Sequence, residues 1–365
     1  MTNVIHYESN KTLRIKAKSG FDKAKTDLAW RQINRYPIGL KGINNESLIY
    51  VLNQELETQL ETINILYQDF KVTDKAYHDN VIIDSYHSAT IEGARTTIDN
   101  VKRAIESKKG TKDDRMVVNS VNGFYYALNN PLTLNNLLEL WKIVVDGVCE
   151  NTEQAGERFR KGMVYIGDNT KRVHTPEKPE KIEDRMVELY DFMKNSKLDV
   201  MLKAAIIHFY FAYIHPFCDG NGRSARILMS AYLEKNKYSK IKAVSISRVI
   251  NENLSGYYKS LLESEEVEEN KNGKVLDITP FIVYILNVME QALISAIAAQ
   301  NALTDIESHL ITRMKKNKGA EITIKTCSKI LKIDEREAAN ILNGLVDKGY
   351  LEKRRSERNY YKLIV

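Results

Sequence analysis

The twelve residues His215-Pro-Phe-Cys-Asp-Gly-Asn-Gly-Arg-Ser-Ala-Arg226 join an almost wholly apolar run, Leu202 to Tyr213, to a second helical run, Ser224 to Glu234. The apolar run reads as a buried helix, and the nearest candidate for a membrane span, Ala204 to Phe217, is too short and carries His208 and His215. Between the two runs, Gly220-Asn221-Gly222 allows positive φ and close approach of the backbone, and the free N–H groups of the next helix point into the same space. That combination is an anion site. Arg223 and Arg226, three apart on the first turn, share a face and can fork onto phosphate oxygens, which favours a polyphosphate over a single carboxylate. Asp219 has the wrong charge for a phosphate ligand, and a hard divalent cation, Mg²⁺, bridging its carboxylate to the phosphates resolves the conflict. His215, at the end of the apolar helix, can take a proton from a hydroxyl nucleophile as general base. Taken singly, a histidine on an apolar helix is more often a core residue, and Gly-Asn-Gly more often a turn. Together the parts form the set that in-line phosphoryl or nucleotidyl transfer needs, since that chemistry is mostly positioning and charge stabilisation.

Outward from the loop the chain reads as mainly helical. Asn45 to Tyr67 shows Leu48, Val51, Leu52, Leu56 and Leu60 near helical spacing and is predicted to be an amphipathic helix. A further helix is expected to run from His78 and end at Gly93, with Glu92 in its last turn. Asn135 to Val148, Glu180 to Met193 and Pro280 to Ala299 are helical runs, and the rest of the middle is read as helix too. Arg160 to His174 differs: Met163-Val-Tyr-Ile and Lys171-Arg-Val-His flank Gly167-Asp-Asn-Thr, the pattern of a β-hairpin. In the tail, Leu310 to Lys316, Lys325 to Leu331 and Glu335 to Lys348 precede a basic two-arm segment, an order that suggests a winged helix-turn-helix.

A chain of 365 residues suggests two or three domains. The balance of 54 basic against 48 acidic side chains is too mild to demand nucleic acid as a partner, and most of the excess lies in the last 65 residues. Cys149, Cys218 and Cys327 are odd in number and widely spaced, which suggests neither a disulfide framework nor a zinc cluster and fits a reducing cytoplasm. No run reaches the length of a membrane span, and the N-terminus lacks a signal-peptide pattern, so no membrane partner is expected.

The twelve-residue stretch resembles the signature of the Fic family at every defined position: histidine, any residue, phenylalanine, any residue, acid, Gly-Asn-Gly-Arg, two free, Arg. With eight defined positions, a chance match in a chain this long is on the order of 10⁻⁸, so coincidence is set aside. The resemblance implies a mainly α fold, a Fic-type helical core with a β-hairpin flap, beside the small C-terminal winged helix-turn-helix. It implies AMP transfer from ATP with Mg²⁺ to a protein Ser, Thr or Tyr hydroxyl. In that scheme His215 is the base, Asp219 holds the metal, and Gly220, Asn221, Gly222, Arg223, Ser224, Ala225 and Arg226 cradle the phosphates. Tyr257-Tyr258 resembles the aromatic pair that lies near the nucleoside in the family, which puts Tyr257 in the ATP site, while Glu263-Ser-Glu-Glu lacks an asparagine that some relatives use there.

Ser88-Ala-Thr-Ile-Glu92-Gly93 matches the Fic inhibitory pattern, Ser or Thr, three free residues, Glu, then Gly or Asn. A carboxylate beside Arg226 would form a charge-assisted pair and fill the space that a γ-phosphate needs. The domains are read as 1–110, an N-terminal helical region with the inhibitory motif; 111–299, the Fic core; and 300–365, the winged helix. The Arg160 to His174 hairpin resembles the Fic flap, whose edge strand can align an extended target segment. The leading function is autoinhibited AMP transfer to a target protein, self-modification included. Two alternatives stay open, a nucleotide-sensing DNA-binding regulator and an enzyme that mainly removes AMP. The tail is read first as a protein-docking or homodimerising module and second as a DNA binder, because Glu335, Glu337 and Asp347 on its recognition helix oppose DNA.

Overall fold

The computed structural model describes residues 5–72, 74–150, 152–167, 172–270, 273–316, 321–355 and 359–364. The chain divides into two compact units, Met1–Ala296 and Ile297–Val365. The N-terminal region does not stand apart as a unit.

The first unit opens with helices α1 (Asn10–Lys18) and α2 (Asp22–Ile33), followed by strands β1 (Arg35–Lys41) and β2 (Ser47–Val51) and helix α3 (Gln54–Asp69). The single amphipathic helix expected over 45–67 is therefore two elements. Leu48, Ile49, Tyr50 and Val51 are buried as a strand, and the Asn53 side chain caps α3 by accepting the Leu56 N–H. Four consecutive apolar residues buried together suit a strand covered on both faces, which helical spacing alone cannot distinguish. β2 lies parallel to β6 (Gly273–Asp277), with Ser47, Leu48 and Ile49 opposite Val275, Leu276 and Asp277. β5 (Val267–Asn270) completes a sheet of order β1-β2-β6-β5. This sheet corrects the reading of the middle as otherwise all helix: β6 is held between β5, its antiparallel hairpin partner, and β2, more than 200 residues upstream.

The helices that carry the site follow: α4 (Asp74–Ile91), α5 (Ile98–Ser107), α6 (Lys112–Asn129), α7 (Leu134–Val145), α8 (Ile182–Asn195), α9 (Val200–Ile214), α10 (Asn221–Lys235), α11 (Ile246–Glu252), α12 (Leu254–Ser264) and α13 (Thr279–Asn301). Every residue of α9 except Val200 and Ala212 is buried, as its apolar run requires. Each large side chain so buried contributes about 1.5–3 kcal/mol, which makes α9 the axis of the core. Its one charge, Lys203, donates to the carbonyls of Met193 (2.8 Å) and Ser196 (3.0 Å) at the end of α8, where carbonyls lack helical partners. Helix α10 packs on α9 and α6, and α4 packs on α6 and α11. Helix α13 is long and apolar enough to cross a membrane by length and composition, unlike the shorter run at 202–213, yet more than half of it is buried within the protein. The hairpin predicted at 160–174 is present in short form, β3 (Ile166–Gly167) against β4 (Arg172–His174). Its turn, Asp168 to Lys171, lies outside the described residues.

The second unit runs α14 (Asp305–Lys316), β7 (Glu321–Ile322), α15 (Ile324–Leu331), α16 (Glu335–Asp347), β8 (Leu351–Arg355) and β9 (Asn359–Leu363), with sheet order β7-β9-β8. The three helices and terminal hairpin expected there are joined by a third strand, β7. Leu310, Ile322, Cys327, Leu342, Leu345 and Tyr361 form its buried core. Glu335 and Glu337 are exposed on the first turn of α16, and Arg358, in the basic two-arm segment, lies outside the described residues.

Candidate active site

The loop between α9 and α10 is built mostly from its own residues. His215 ends α9 in the left-handed region, φ 54°, and its N–H closes the helix on Phe211 O. Asn221 then ties the turn twice, donating to Phe217 O (2.8 Å) and accepting the Phe217 N–H (3.0 Å). Gly220 stands at φ 76° as the residue before α10, a conformation that glycine adopts without strain. With Gly220 turned this way, the first amides of α10 are left without helical partners, as an anion site requires.

His215 Nδ1 lies 3.3 Å from Ala212 O. A carbonyl only accepts, so Nδ1 carries the proton and Nε2 keeps its lone pair. Burial lowers the imidazole pKa from 6.5 to about 4, so the ring is neutral at neutral pH and able to act as a base. Arg160, almost wholly buried, holds this residue from behind: its Nε donates to His215 O (2.8 Å), its guanidinium also bonds Gly162 O and Glu177 O, and its backbone N–H bonds Pro216 O. His174 at the base of the hairpin lies 2.8 Å from Tyr213 O and 2.6 Å from Glu265. The root of the hairpin is thus fastened to the end of α9.

The two arginines of the loop have different partners. Arg223 donates to Val144 O (3.0 Å) and pairs with Asp219 (3.4 Å). Arg226, 2% exposed, donates through Nε to Ser88 Oγ (2.8 Å) and through Nη2 to Ser88 O (2.9 Å) and Glu92 Oε1 (2.7 Å). Glu92 lies one residue past α4, and Gly93 turns the chain at φ 93°. A Cβ built on Gly222 would meet Glu92 Oε1 at 2.2 Å and Arg226 Nη1 at 3.2 Å, so glycine is what lets the carboxylate reach the loop. Helix α4 is fixed by Asp84, which pairs with Lys242 in the interior and accepts the Ser247 N–H at 2.6 Å.

A cleft of about 600 Å³ opens over this loop, lined among others by Glu92, Ile166, His215, Gly222, Tyr257 and Tyr258. Tyr257 is buried and bonds His208 Nε2 at 2.9 Å, whereas Tyr258 is half-exposed. Burial pushes the Tyr257 phenol up to about 12 and holds His208 down at about 3, so both stay neutral. Asp219 is partly open to solvent; its Oδ2 accepts the Glu150 N–H at 3.2 Å, and its other oxygen faces Gly220 N and Arg223. Among the described residues no three His, Cys, Asp or Glu side chains gather as a metal cage. A lone open carboxylate suits Mg²⁺, which is held by one or two carboxylates and the phosphates it accompanies.

Residues 131–233 match the profile of the Fic/DOC family. The chain carries a Fic domain. It is 27% identical over 228 residues to the protein adenylyltransferase Fic of Nematostella vectensis, covering 59% of this chain and 48% of that protein. It is 28% identical over 222 residues to the protein of the same name from Drosophila willistoni, covering 57% and 40%. The chain thus spans about half the length of these relatives or less. A crystal structure of a Fic family protein from Desulfovibrio desulfuricans G20 superposes with a TM-score of 0.60 at 21% identity, over 86% of this chain and 97% of that one, which shows the shared, mainly helical fold.

The Fic domain brings together His215, Asp219, the run Gly220 to Arg226 and, from outside the matched residues, Ser88, Glu92 and Gly93. Tyr257 lines the cleft from within the core, with Tyr258 the more accessible of the pair. Sequence reasoning passed over Arg160, His208 and Asp84. Their signal is weak because each acts through a partner 49 to 163 residues away.

Proposed function

We propose that the protein transfers AMP from ATP to a Ser, Thr or Tyr hydroxyl of a protein, itself included, and that Glu92 restrains the reaction in cis. The observation that carries this reading is the junction at Arg226: a guanidinium on the phosphate loop, with a buried Nη1 that lacks a partner among the described residues, clasps Glu92 while the base and the cleft stand beside it. Orphaned buried donors at a helix start suit an anionic ligand, and two others, Arg223 Nε and Ser224 Oγ, lie on the same turn. The sequence relatives named protein adenylyltransferase support ATP as co-substrate.

In this reading the amides of Gly222 and Arg223, with Arg226, bind the phosphate chain, and Ala225 leaves the helix start unobstructed. Asp219 would hold Mg²⁺, which supplies charge neutralisation at the phosphates when bound. His215 Nε2 takes the proton of the target hydroxyl as its oxygen attacks the α-phosphate, and pyrophosphate leaves. Tyr257 and Tyr258 wall the nucleoside end of the cleft, and the hairpin at 160–174 aligns the target chain. Glu92 on Arg226 fills the place of the γ-phosphate, so ATP that binds is turned away from the line of attack. Incubation with α-labelled ATP tests this: label on protein from the Glu92→Gly variant, and none from Glu92→Gly with His215→Ala, is expected. No label from either would defeat the reading.

A further inference from the structure

Cys149 follows α7, and Cys218 stands inside the loop between α9 and α10. Far apart in sequence, their reduced Sγ atoms lie 3.7 Å from each other. Cys218 is buried and Cys149 partly exposed. The seam between them runs past Asp219: the Glu150 N–H, one residue beyond Cys149, donates to Asp219 Oδ2 (3.2 Å), and Trp141 Nε1 donates to Asp219 O (2.9 Å). Phe217, one residue before Cys218, stacks on Trp141 with centroids 4.5 Å apart. The α7 side of the seam therefore holds the acidic residue of the loop from two directions.

We propose that Cys149 and Cys218 close a reversible intramolecular disulfide in response to hydrogen peroxide, and that closure slows the site by displacing Asp219. The accessible Cys149, as thiolate, attacks the peroxide oxygen; the O–O bond breaks, and Cys149 becomes a sulfenic acid while hydroxide leaves and takes up a proton as water. The Cys218 sulfur then attacks the sulfenic sulfur, an S–S bond forms, and the sulfenic oxygen departs with the Cys218 proton as a second water. Two thiols are oxidised by two electrons, and one peroxide is reduced to two waters. An S–S bond of ~2.05 Å requires the sulfurs to approach by roughly 1.6 Å. Asp219 is bonded to Cys218 and hydrogen-bonded across the seam, so closure of the gap acts directly on its position. The effect on activity rests on the AMP-transfer reading; the disulfide does not.

The test uses the full chain as wild type and as Glu92→Gly, each with and without Cys149→Ser, reduced and then treated with hydrogen peroxide. Peptide mapping is expected to find a linked peptide joining residues 149 and 218, reversed by dithiothreitol and absent from the Cys149→Ser chains. Transfer by the Glu92→Gly chain should fall on the order of 100-fold on oxidation, the scale of an ångström-sized misplacement, and return on reduction, with no change when Cys149 is serine. Sulfinic or sulfonic products without the linked peptide would overturn the proposal. A linked peptide with unaltered transfer would overturn the coupling to Asp219. Should the reduced chain transfer no AMP, the proposed function fails separately; the affinity for ATP with Mg²⁺, compared by calorimetry before and after oxidation, then decides the coupling, equal affinities counting against it.

Discussion

The loop His215–Arg226 and the segment Ser88–Gly93 meet at one guanidinium, yet they are assembled by opposite means. The loop is nearly self-sufficient: Asn221 bonds Phe217 in both directions, Asp219 pairs with Arg223, and His215 closes α9 on Phe211. The segment Ser88–Gly93 owes its place to distant anchors. Ser88 and Glu92 reach Arg226 across 138 and 134 residues, and α4 is seated by the Asp84–Lys242 pair and the Ser247 N–H. Contacts written in contiguous residues survive as a unit, while contacts made across the fold can be weakened without touching the loop. Arg223 and Arg226 show the difference on a single turn, one paired with Asp219 inside the loop and the other with the incoming carboxylate.

That comparison breaks most sharply at the base. His215→Ala in a Glu92→Gly background should lower the initial rate with α-labelled ATP by about 10²–10⁴-fold, the usual contribution of a general base, while ATP affinity by calorimetry changes little. Lost affinity with retained transfer would show the loop and the base to be wrongly separated.

Next in size is the anchor of α4. Asp84→Ala leaves Lys242 charged and unpaired in the interior and should destabilise the fold by about 3–5 kcal/mol, read as a lower urea midpoint. A midpoint equal to wild type would mean that α4 is seated by its apolar contacts instead.

The restraint itself comes third. Glu92→Gly removes the carboxylate from Arg226 and should raise transfer, self-modification included, by about 5–150-fold, the range of a coupling of 1–3 kcal/mol. A rate at or below wild type would sink the restraint and leave the base standing.

The smallest effect is the pH profile. Because burial holds the His215 pKa near about 4 against its ordinary 6.5, the ring stays neutral well below pH 6.5, and the acid limb of the Glu92→Gly rate should fall as pH approaches about 4. The folded state also binds fewer protons at this ring than the unfolded chain between those values, so its contribution to stability is full above 6.5 and is lost as pH drops through about 4. A limb centred at 6.5 would show that the working site exposes the imidazole to water.

Much of the site was legible in advance because its elements are local: a buried helix shows as an apolar run and a turn as glycines, whereas Arg223 and Arg226, read as one forked pair, turn to different partners. The strand at 47–51 was not legible, since Leu48, Val51, Leu52 and Leu56 satisfy helical spacing as well and only β6 beside it settles the matter. β5 and β6 escaped notice for a different reason: they pair locally as a hairpin, and the Asn-Gly signal between their arms was passed over. Arg160 looks like any flap arginine until His215 O is seen beneath it, and three cysteines read as scattered until two of them prove to be in contact.

By itself the sequence determined the identity of the reactive groups, their order along the loop and the helical class of the chain, because residue type and short-range spacing set charge, capping and amphipathicity. Only the tertiary structure decided the contacts by which Ser88 and Glu92 clasp Arg226, that His215 is half-buried and neutral with its proton on Nδ1, and that Cys149 faces Cys218. Those facts depend on which remote surfaces pack together, and burial and separation through space, not along the chain, set the energy of a charge, a proton or a thiol.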